Sequence, residues 1–156
     1  HISGSIGEFP INRPNNLVPI ITQTAAGKNS LTVFGNKFNT PDGSCMRDYI
    51  HVSDVADAHV KALHYLIGKK NKVNPPVLNL GTGYGVSVLE AIASFEKVSG
   101  KKLNYTIGAP REGDVIAVYA DNTLAKTELS WAPKYNLDDM MATAWKWQQN
   151  LDAERS

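Results

Sequence analysis

The stretch TPDGSCMRDYIHVSDVADAHVKAL, residues 40–63, predicts a loop, a strand and a helix in immediate succession. Its opening belongs to a loop over 36–44 that is rich in the turn-forming residues Asn, Pro, Asp and Gly. The segment 46–52 alternates apolar and polar residues and therefore predicts a strand. Ser53 or Asp54 is expected to cap the helix that follows. The predicted apolar face of this helix comprises Val55, Ala58, Ala62, Leu63 and Leu66.

Strand-like and helix-like segments continue to alternate on both sides of this stretch. Further strands are predicted at 30–35, 76–81, 103–108 and 115–121. Further helices are predicted from Asn16 to Gly27, from a Ser87–Glu90 capping box to Val98, at 122–131, and from an Asn136 cap onward. The alternation predicts an α/β fold, with residues 1–156 forming one domain.

The composition is that of an ordinary globular domain, with 156 residues of which 42% are hydrophobic and 20% charged. Lys and Arg total 16 against 15 Asp and Glu, which argues against a nucleic-acid surface. No run approaches the ~18 apolar residues of a membrane span. The single Cys45 excludes a disulfide framework and fits a reducing, cytoplasmic compartment. The opening HISGSIGEFP has no Met and no features of a secretory leader, so we expect a fragment.

Two motifs have a functional and a structural interpretation. The sequence GTGYG (81–85) lies between a strand and a helix, but a dinucleotide turn needs G-x-G-x-x-G, so a tight structural turn is favoured. Tyr65 and Lys69 have the Tyr-x-x-x-Lys spacing of a proton-transfer pair, yet a solvated helix end explains them better. The four histidines show neither an i, i+4 pair nor H-E-x-x-H, so no metal site is predicted.

Two arginines in or beside loops are candidates for anion binding. Arg47 and Arg111 each offer a bidentate fork that suits phosphate oxygens, and together they could clamp a pyrophosphate. The alternative is a set of structural ion pairs, of Arg47 with Asp48 or Asp54 and of Arg111 with Glu112 or Asp114. Spacing alone favours the ion pairs.

Taken together, the segments resemble the C-terminal half of the UDP-glucose 4-epimerase family of extended short-chain dehydrogenases/reductases. The matching pieces are PNNLVP (14–19), LTVFGN (31–36), the stretch 40–63, NLGTGYGVSV (79–88), REGD (111–114) with YAD (119–121), and LDDMMATAWKWQ (137–148). The resemblance implies the substrate-binding portion of an NAD(P)-binding, Rossmann-type epimerase whose Rossmann half is missing here.

The resemblance also implies a reaction. Family members interconvert UDP-glucose and UDP-galactose through a 4-keto intermediate, using a tightly bound NAD that removes and returns the hydride at C4. NAD and the catalytic Ser, Tyr and Lys belong to the N-terminal half. We therefore expect no catalytic and no cofactor-binding residue in this chain, no activity from it alone, and a homodimer for the intact protein.

The resemblance further implies nine substrate-binding positions. Asn16 and the backbone of Leu17 match contacts to the diphosphate region. The backbones of Leu31 and Thr32 match contacts to the uracil edge, and Phe34 matches a residue packed on the uridine. Arg47 and Arg111 match the pyrophosphate arginines, and Asp114 the acceptor for the ribose hydroxyls. These matches reverse the preference for structural ion pairs.

Val118 matches a position that lines the sugar pocket. A small residue there leaves room for a 2-N-acetyl group, so we expect UDP-N-acetylglucosamine and UDP-N-acetylgalactosamine to be accepted as well. The alternatives that remain are another UDP-sugar enzyme, such as a UDP-glucuronate epimerase or decarboxylase, a UDP-sugar-binding module without catalysis, and a purely structural remnant. We also expect an exposed apolar surface where the Rossmann half would pack.

Overall fold

A computed structural model describes residues 1–70 and 77–154 and has the predicted α/β character. Its helices are α1 (Leu17–Ala25), α2 (Val52–Ile67), α3 (Val88–Ser99), α4 (Thr123–Leu129) and α5 (Leu137–Ala153). Its strands are β1 (Leu31–Phe34), β2 (Met46–Arg47), β3 (Val86–Ser87) and β4 (Tyr105–Gly108). No helix within these residues is long and apolar enough to cross a membrane.

The described strands form two small sheets. β1 and β4 pair in parallel, from Leu31 opposite Tyr105 to Phe34 opposite Gly108. β2 and β3 pair antiparallel, with Met46 opposite Ser87. The connection from β1 to β4 carries α2 and α3, and a long helical connection of this kind is what parallel strands require.

The larger hydrophobic core lies between the β1–β4 sheet and helices α1, α3 and α5. Alternate residues of β1 point inward, as expected for a strand with one buried face. Phe95 of α3 is fully buried and meets Trp145 of α5 edge to face, with ring centroids 5.6 Å apart. The buried residues of this core are Ile21, Leu31, Val33, Ala91, Ile92, Phe95, Leu103 and Met141.

A second, smaller core joins α2 to α4 around Trp131. The indole Nε1 donates to the carbonyl of Asp54 at 3.0 Å. The buried Asp54 carboxylate accepts from the backbone amides of Lys134 and Tyr135 at 3.0 and 3.1 Å. Asp54 therefore fixes the approach to α5 and does not cap α2.

Two of the three helix caps predicted from the sequence are present in the structure. The Ser87–Glu90 capping box is confirmed at α3, and Asn136 caps α5 in a box with Asp139. The prediction for α2 is wrong, because the cap is His51, whose Nδ1 accepts from the Ser53 amide at 3.0 Å. The imidazole of His51, two residues before Ser53 and three before Asp54, takes the role assigned to them.

Three strand predictions are wrong in extent. The segment 46–52 is a strand only at Met46–Arg47, and 115–121 makes only a bridge from Ala117 to Met46. Residues 77–81 form no strand, and Pro76 lies outside the described residues. The pattern of 77–81 suits a buried strand, but a strand also needs a neighbour, and the described part of the chain supplies none there.

The apolar face of α2 is only partly buried. Ala58 is buried, whereas Leu63 and Leu66 are 56% and 47% exposed, so that part of the predicted face is wrong. Exposed apolar residues lie along this helix at helical spacing. This apolar stripe consists of Val52, Val60, Leu63 and Ile67. An exposed apolar surface of this kind was expected from the sequence.

Candidate functional site

A cleft of about 1020 Å³ opens between the start of α1, strand β1, strand β2 and the loop before residue 115. Its volume is at the upper end of small-molecule pockets, which measure about 300–1,000 Å³. All the predicted substrate-binding residues except Val118 line it. They are Asn16, Leu17, Leu31, Thr32, Phe34, Arg47, Arg111 and Asp114.

The sequence REGD forms a tight turn that presents two of these side chains together. The Asp114 amide donates to the Arg111 carbonyl at 3.3 Å. Gly113 has φ 81°, the left-handed conformation that the third residue of a type II turn requires. The turn brings its first and last residues close together, so one short segment contributes both a cation and a carboxylate to the cleft.

Arg47 is braced by the backbone of the cleft wall. Its Nη1 donates to the carbonyls of Met46 and Val115 at 2.8 and 2.6 Å. Its Nη2 lies 3.8 Å from Asp114 Oδ1, and both side chains are about one-third exposed. The partner is therefore neither Asp48 nor Asp54, and the guanidinium has donors left for an anion.

Arg111 stacks on an aromatic ring. Its Cζ lies 3.7 Å from the centroid of the Phe34 ring, which is cation–π geometry. Among the described residues no carboxylate forms an ion pair with Arg111. The alternative of a structural ion pair with Glu112 or Asp114 is thus not observed, and the stacking contact leaves the edges of the guanidinium free.

Strand β1 contributes backbone. The Leu31 side chain is 2% exposed and belongs to the core, so only its main chain is available to a ligand. β4 occupies one edge of β1, and within the described residues no strand occupies the other. A free strand edge presents alternating N–H and C=O groups, which suit the edge of a planar base.

Asn16 precedes α1 but does not cap it. Its side chain makes no cap hydrogen bond; its Nδ2 instead donates to Glu8 Oε1 at 2.9 Å. Residues 16–19 all line the cleft, so the uncapped start of α1 faces it. The partial positive charge of a helix start favours anions.

Val118 stands apart from the other predicted positions. It does not line the cleft, its residue surface is 51% exposed, and its amide donates to the Met46 carbonyl at 3.3 Å. The cleft residues that the sequence did not predict include Glu8, Arg13 and Tyr49. Arg13 carried no signal beyond its charge, whereas Tyr49 lies in the quoted RDYIHV segment. Burial raises the pKa of Tyr49 to about 12, so its hydroxyl remains protonated.

The glycine-rich turn GTGYG (81–85) is filled by a carboxylate of the same chain. Asp48 Oδ1 accepts from the Thr82 amide and hydroxyl at 2.9 and 2.6 Å, and Oδ2 accepts from the Ala120 amide at 3.0 Å. A Cβ added at Gly81 would overlap Asp48 Oδ2. The turn therefore does not fit a dinucleotide such as NAD, because the donors that would bind a phosphate already bind the Asp48 carboxylate.

Tyr65 and Lys69 do not form a proton-transfer pair. The Tyr65 hydroxyl donates to Glu128 at 2.9 Å. Lys69 lies beyond the end of α2 with φ 51°, so the helical spacing that would align the two side chains is broken. A second cavity of about 670 Å³, between the N-terminal segment and α5, has mainly apolar walls and contains none of the predicted positions.

Comparisons with known proteins agree on one family. Residues 7–144 match the model of the GDP-mannose 4,6 dehydratase family. The chain is 48% identical over 151 residues to the UDP-glucose 4-epimerase of Bacillus subtilis, covering 96% of this chain and 44% of that protein.

Solved structures give the same result. The UDP-glucose-4-epimerase of Stenotrophomonas maltophila, with bound NAD and formylated UDP-arabinopyranose, matches 99% of this chain with a TM-score of 0.93 and 44% identity. The Bifidobacterium longum enzyme, in complex with NAD+ and UDP, matches 96% with a TM-score of 0.88 and 42% identity. The match covers 45% and 44% of those chains, so this chain spans less than half the length of the relatives it matches.

Proposed function

Because this chain belongs to the GDP-mannose 4,6-dehydratase family and corresponds to the C-terminal portion of an extended short-chain dehydrogenase/reductase epimerase, we propose that it supplies the UDP-sugar-binding domain of a UDP-glucose 4-epimerase. The domain comprises residues 1–156. The whole protein interconverts UDP-glucose and UDP-galactose through a 4-keto intermediate.

The observation that carries this proposal is the convergence of two arginines, a carboxylate and a free strand edge on one cleft. Arg47 and Arg111 bind the diphosphate, each with donors that the protein does not use. Asp114 accepts from the ribose hydroxyls. The backbones of Leu31 and Thr32 read the uracil edge.

Phe34 and the start of α1 complete the proposed UDP-binding site. One face of the Phe34 ring holds the Arg111 guanidinium, so Phe34 packs on the uridine with what remains of its surface and keeps Arg111 oriented toward the phosphates. Asn16 and the Leu17 backbone contact the diphosphate region from the uncapped end of α1.

The chain binds and orients its substrate but does not perform the hydride transfer. The hydride acceptor is NAD, held by a part of the protein that this chain does not include, since the GTGYG turn is closed by Asp48.

The intact protein is a cytoplasmic homodimer; the unpaired Cys45 supports a reducing compartment. Val118 lines the sugar pocket once that other part is present and leaves room for UDP-N-acetylhexosamines.

The test is a calorimetric titration of UDP into this chain and into Arg111→Ala. Loss of one charge-assisted phosphate contact should weaken binding by about 1.5–3 kcal/mol. Lys126→Ala is the control, because it removes a positive charge from α4, which does not line the cleft. Equal UDP affinity for Arg111→Ala and wild type, or no binding by a cooperatively folded wild type, would contradict the proposal.

A further inference from the structure

The N-terminal segment that precedes α1 is hydrogen-bonded to α5. The Asn150 side chain donates to the Gly4 carbonyl at 2.9 Å, and the Trp147 indole donates to the Glu8 carbonyl at 2.9 Å. Gly7 lies flat on the indole, because a Cβ there would overlap the Trp147 ring. The backbone of Glu8 is thereby fixed by a helix that lies outside the proposed phosphate contacts.

The side chain of Glu8 reaches from this N-terminal segment into the cleft. Glu8 and Asn16 both line the cleft, and Glu8 Oε1 accepts from Asn16 Nδ2 at 2.9 Å. Asn16 occupies an N-cap position, where an Asn oxygen ordinarily accepts from the helix amides, yet it makes no cap bond. The orientation of its amide is therefore set by Glu8.

We propose that Glu8 is a positioning residue for UDP binding, acting through Asn16; this inference rests on the proposed function. An ionised carboxylate only accepts, so Glu8 must face the NH2 group of Asn16. The second N–H of that group then remains for a diphosphate oxygen. Without Glu8 the amide is free to turn and present its carbonyl oxygen, an acceptor that repels phosphate.

The charge of Glu8 acts against its positioning role. A carboxylate beside a diphosphate is repelled by it, so replacing Glu8 by a neutral residue removes both the orientation and the repulsion. Comparison with wild type would therefore mix two effects of opposite sign. Gln and Ala at residue 8 are both neutral, and of the two only Gln has an oxygen that can accept the Asn16 N–H bond. Because the Gln NH2 group can also donate to the Asn16 oxygen, Gln restores the orientation only in part.

The experiment is a double-mutant cycle with UDP as the probe, measured by calorimetry. With Asn16 present, Glu8→Ala should bind UDP about twofold to fivefold more weakly than Glu8→Gln, the lower part of the range of one exposed hydrogen bond. In the Asn16→Ala background the two variants should bind equally. Thermal unfolding of each variant checks the fold, and Glu8→Met replaces Glu8→Ala if the latter is unfolded.

The experiments distinguish a failure of this inference from a failure of the proposed function. A Glu8→Ala to Glu8→Gln ratio near one with Asn16 present overturns the inference, as does a ratio that persists in Asn16→Ala, because Glu8 would then act by another route. Wild type that does not bind UDP, or Arg111→Ala that binds it unchanged, overturns the proposed function, and this inference fails with it.

Discussion

Asp48 closes the glycine-rich turn at Thr82, accepting from both its backbone amide and its hydroxyl. The same carboxylate holds Ala120, so one side chain ties the turn to the segment that follows the proposed binding loop. The glycine at residue 81 is required by this contact and not by a bound phosphate.

Gly81→Ala should destabilise the chain by about 1–3 kcal/mol, the usual cost of overpacking. The added Cβ would overlap Asp48 Oδ2 and lie 2.7 Å from Ala120 Cβ, and Asp48 cannot move without giving up its hydrogen bonds. The free energy of unfolding in urea measures this. Asp121→Asn, at an exposed carboxylate, is the control. A Gly81→Ala chain as stable as wild type would show that the turn can relax.

Stability should fall with acidification because of His51. Its Nδ1 accepts from the Ser53 amide, which requires the neutral ring, and burial lowers its pKa below the ordinary value of 6.5. The unfolded chain then takes up the proton first, so this contribution to stability is complete above pH 6.5 and is lost as the pH falls from there toward the folded-state pKa.

His51→Asn tests this contribution directly. Asn keeps an N-cap acceptor but does not titrate, so the pH dependence of the unfolding midpoint below pH 6.5 should flatten in the variant. His59→Asn, at an exposed position of α2, is the matched control and should keep the wild-type profile. Parallel profiles for His51→Asn and wild type would assign the acid sensitivity to other groups.

Asp114→Asn should weaken the binding of UDP more than that of 2′,3′-dideoxy-UDP. The carboxylate is proposed to accept from the ribose hydroxyls, and a hydrogen bond to a charged acceptor contributes about 1.5–3 kcal/mol. Calorimetry with both nucleotides separates this role from the contact to Arg47, which affects both equally. Equal weakening of the two ligands would leave Asp114 as a partner of Arg47 only.

The apolar stripe of α2 should promote self-association of this chain. Leu63 and Ile67 are 56% and 70% exposed, and neither lines the cleft. Leu63→Lys with Ile67→Lys should abolish concentration-dependent association in sedimentation while UDP affinity is unchanged. Leu124→Lys, at an exposed residue of α4, serves as the control. Persistent association of the double variant would place the contact elsewhere.

Val118→Tyr should restrict the substrates of the intact enzyme. A bulky ring at a position proposed to line the sugar pocket leaves less room for a 2-N-acetyl group, so turnover of UDP-N-acetylglucosamine should fall by at least tenfold relative to UDP-glucose. Val118→Ala is the small control. Refusal of both N-acetyl substrates by the unaltered enzyme would contradict the proposed selectivity.

Local chemistry was predictable from the sequence, and contacts between distant segments were not. The Ser87 and Asn136 caps depend on residues three positions apart, and both are present. The partners of Arg47 are the carbonyl of Val115 and the carboxylate of Asp114, more than 60 residues away. No pattern within one segment shows that pairing.

The strands predicted at 30–35 and 103–108 are present as β1 and β4, and the other three predictions failed in extent for the same reason. The segment 77–81 has the composition of a buried strand, but the neighbouring strand that would define it is not among the described residues. The positions implied by resemblance reached further than periodicity did, since they predicted side chains from α1, β1, β2 and the REGD turn that the fold brings to one cleft. Glu8 was missed because its role depends on Trp147, near the other end of the chain.

The parallel pairing of Thr32 with Thr106 links positions 74 residues apart in the chain. Closing such a long loop is entropically costly, so we expect this pairing to form late in folding, when the rest of the structure forms. The cleft beside β1 then exists only in the fully folded chain. A nucleotide that binds there stabilises the whole molecule by mass action, and its presence should raise the unfolding temperature of helices it never touches.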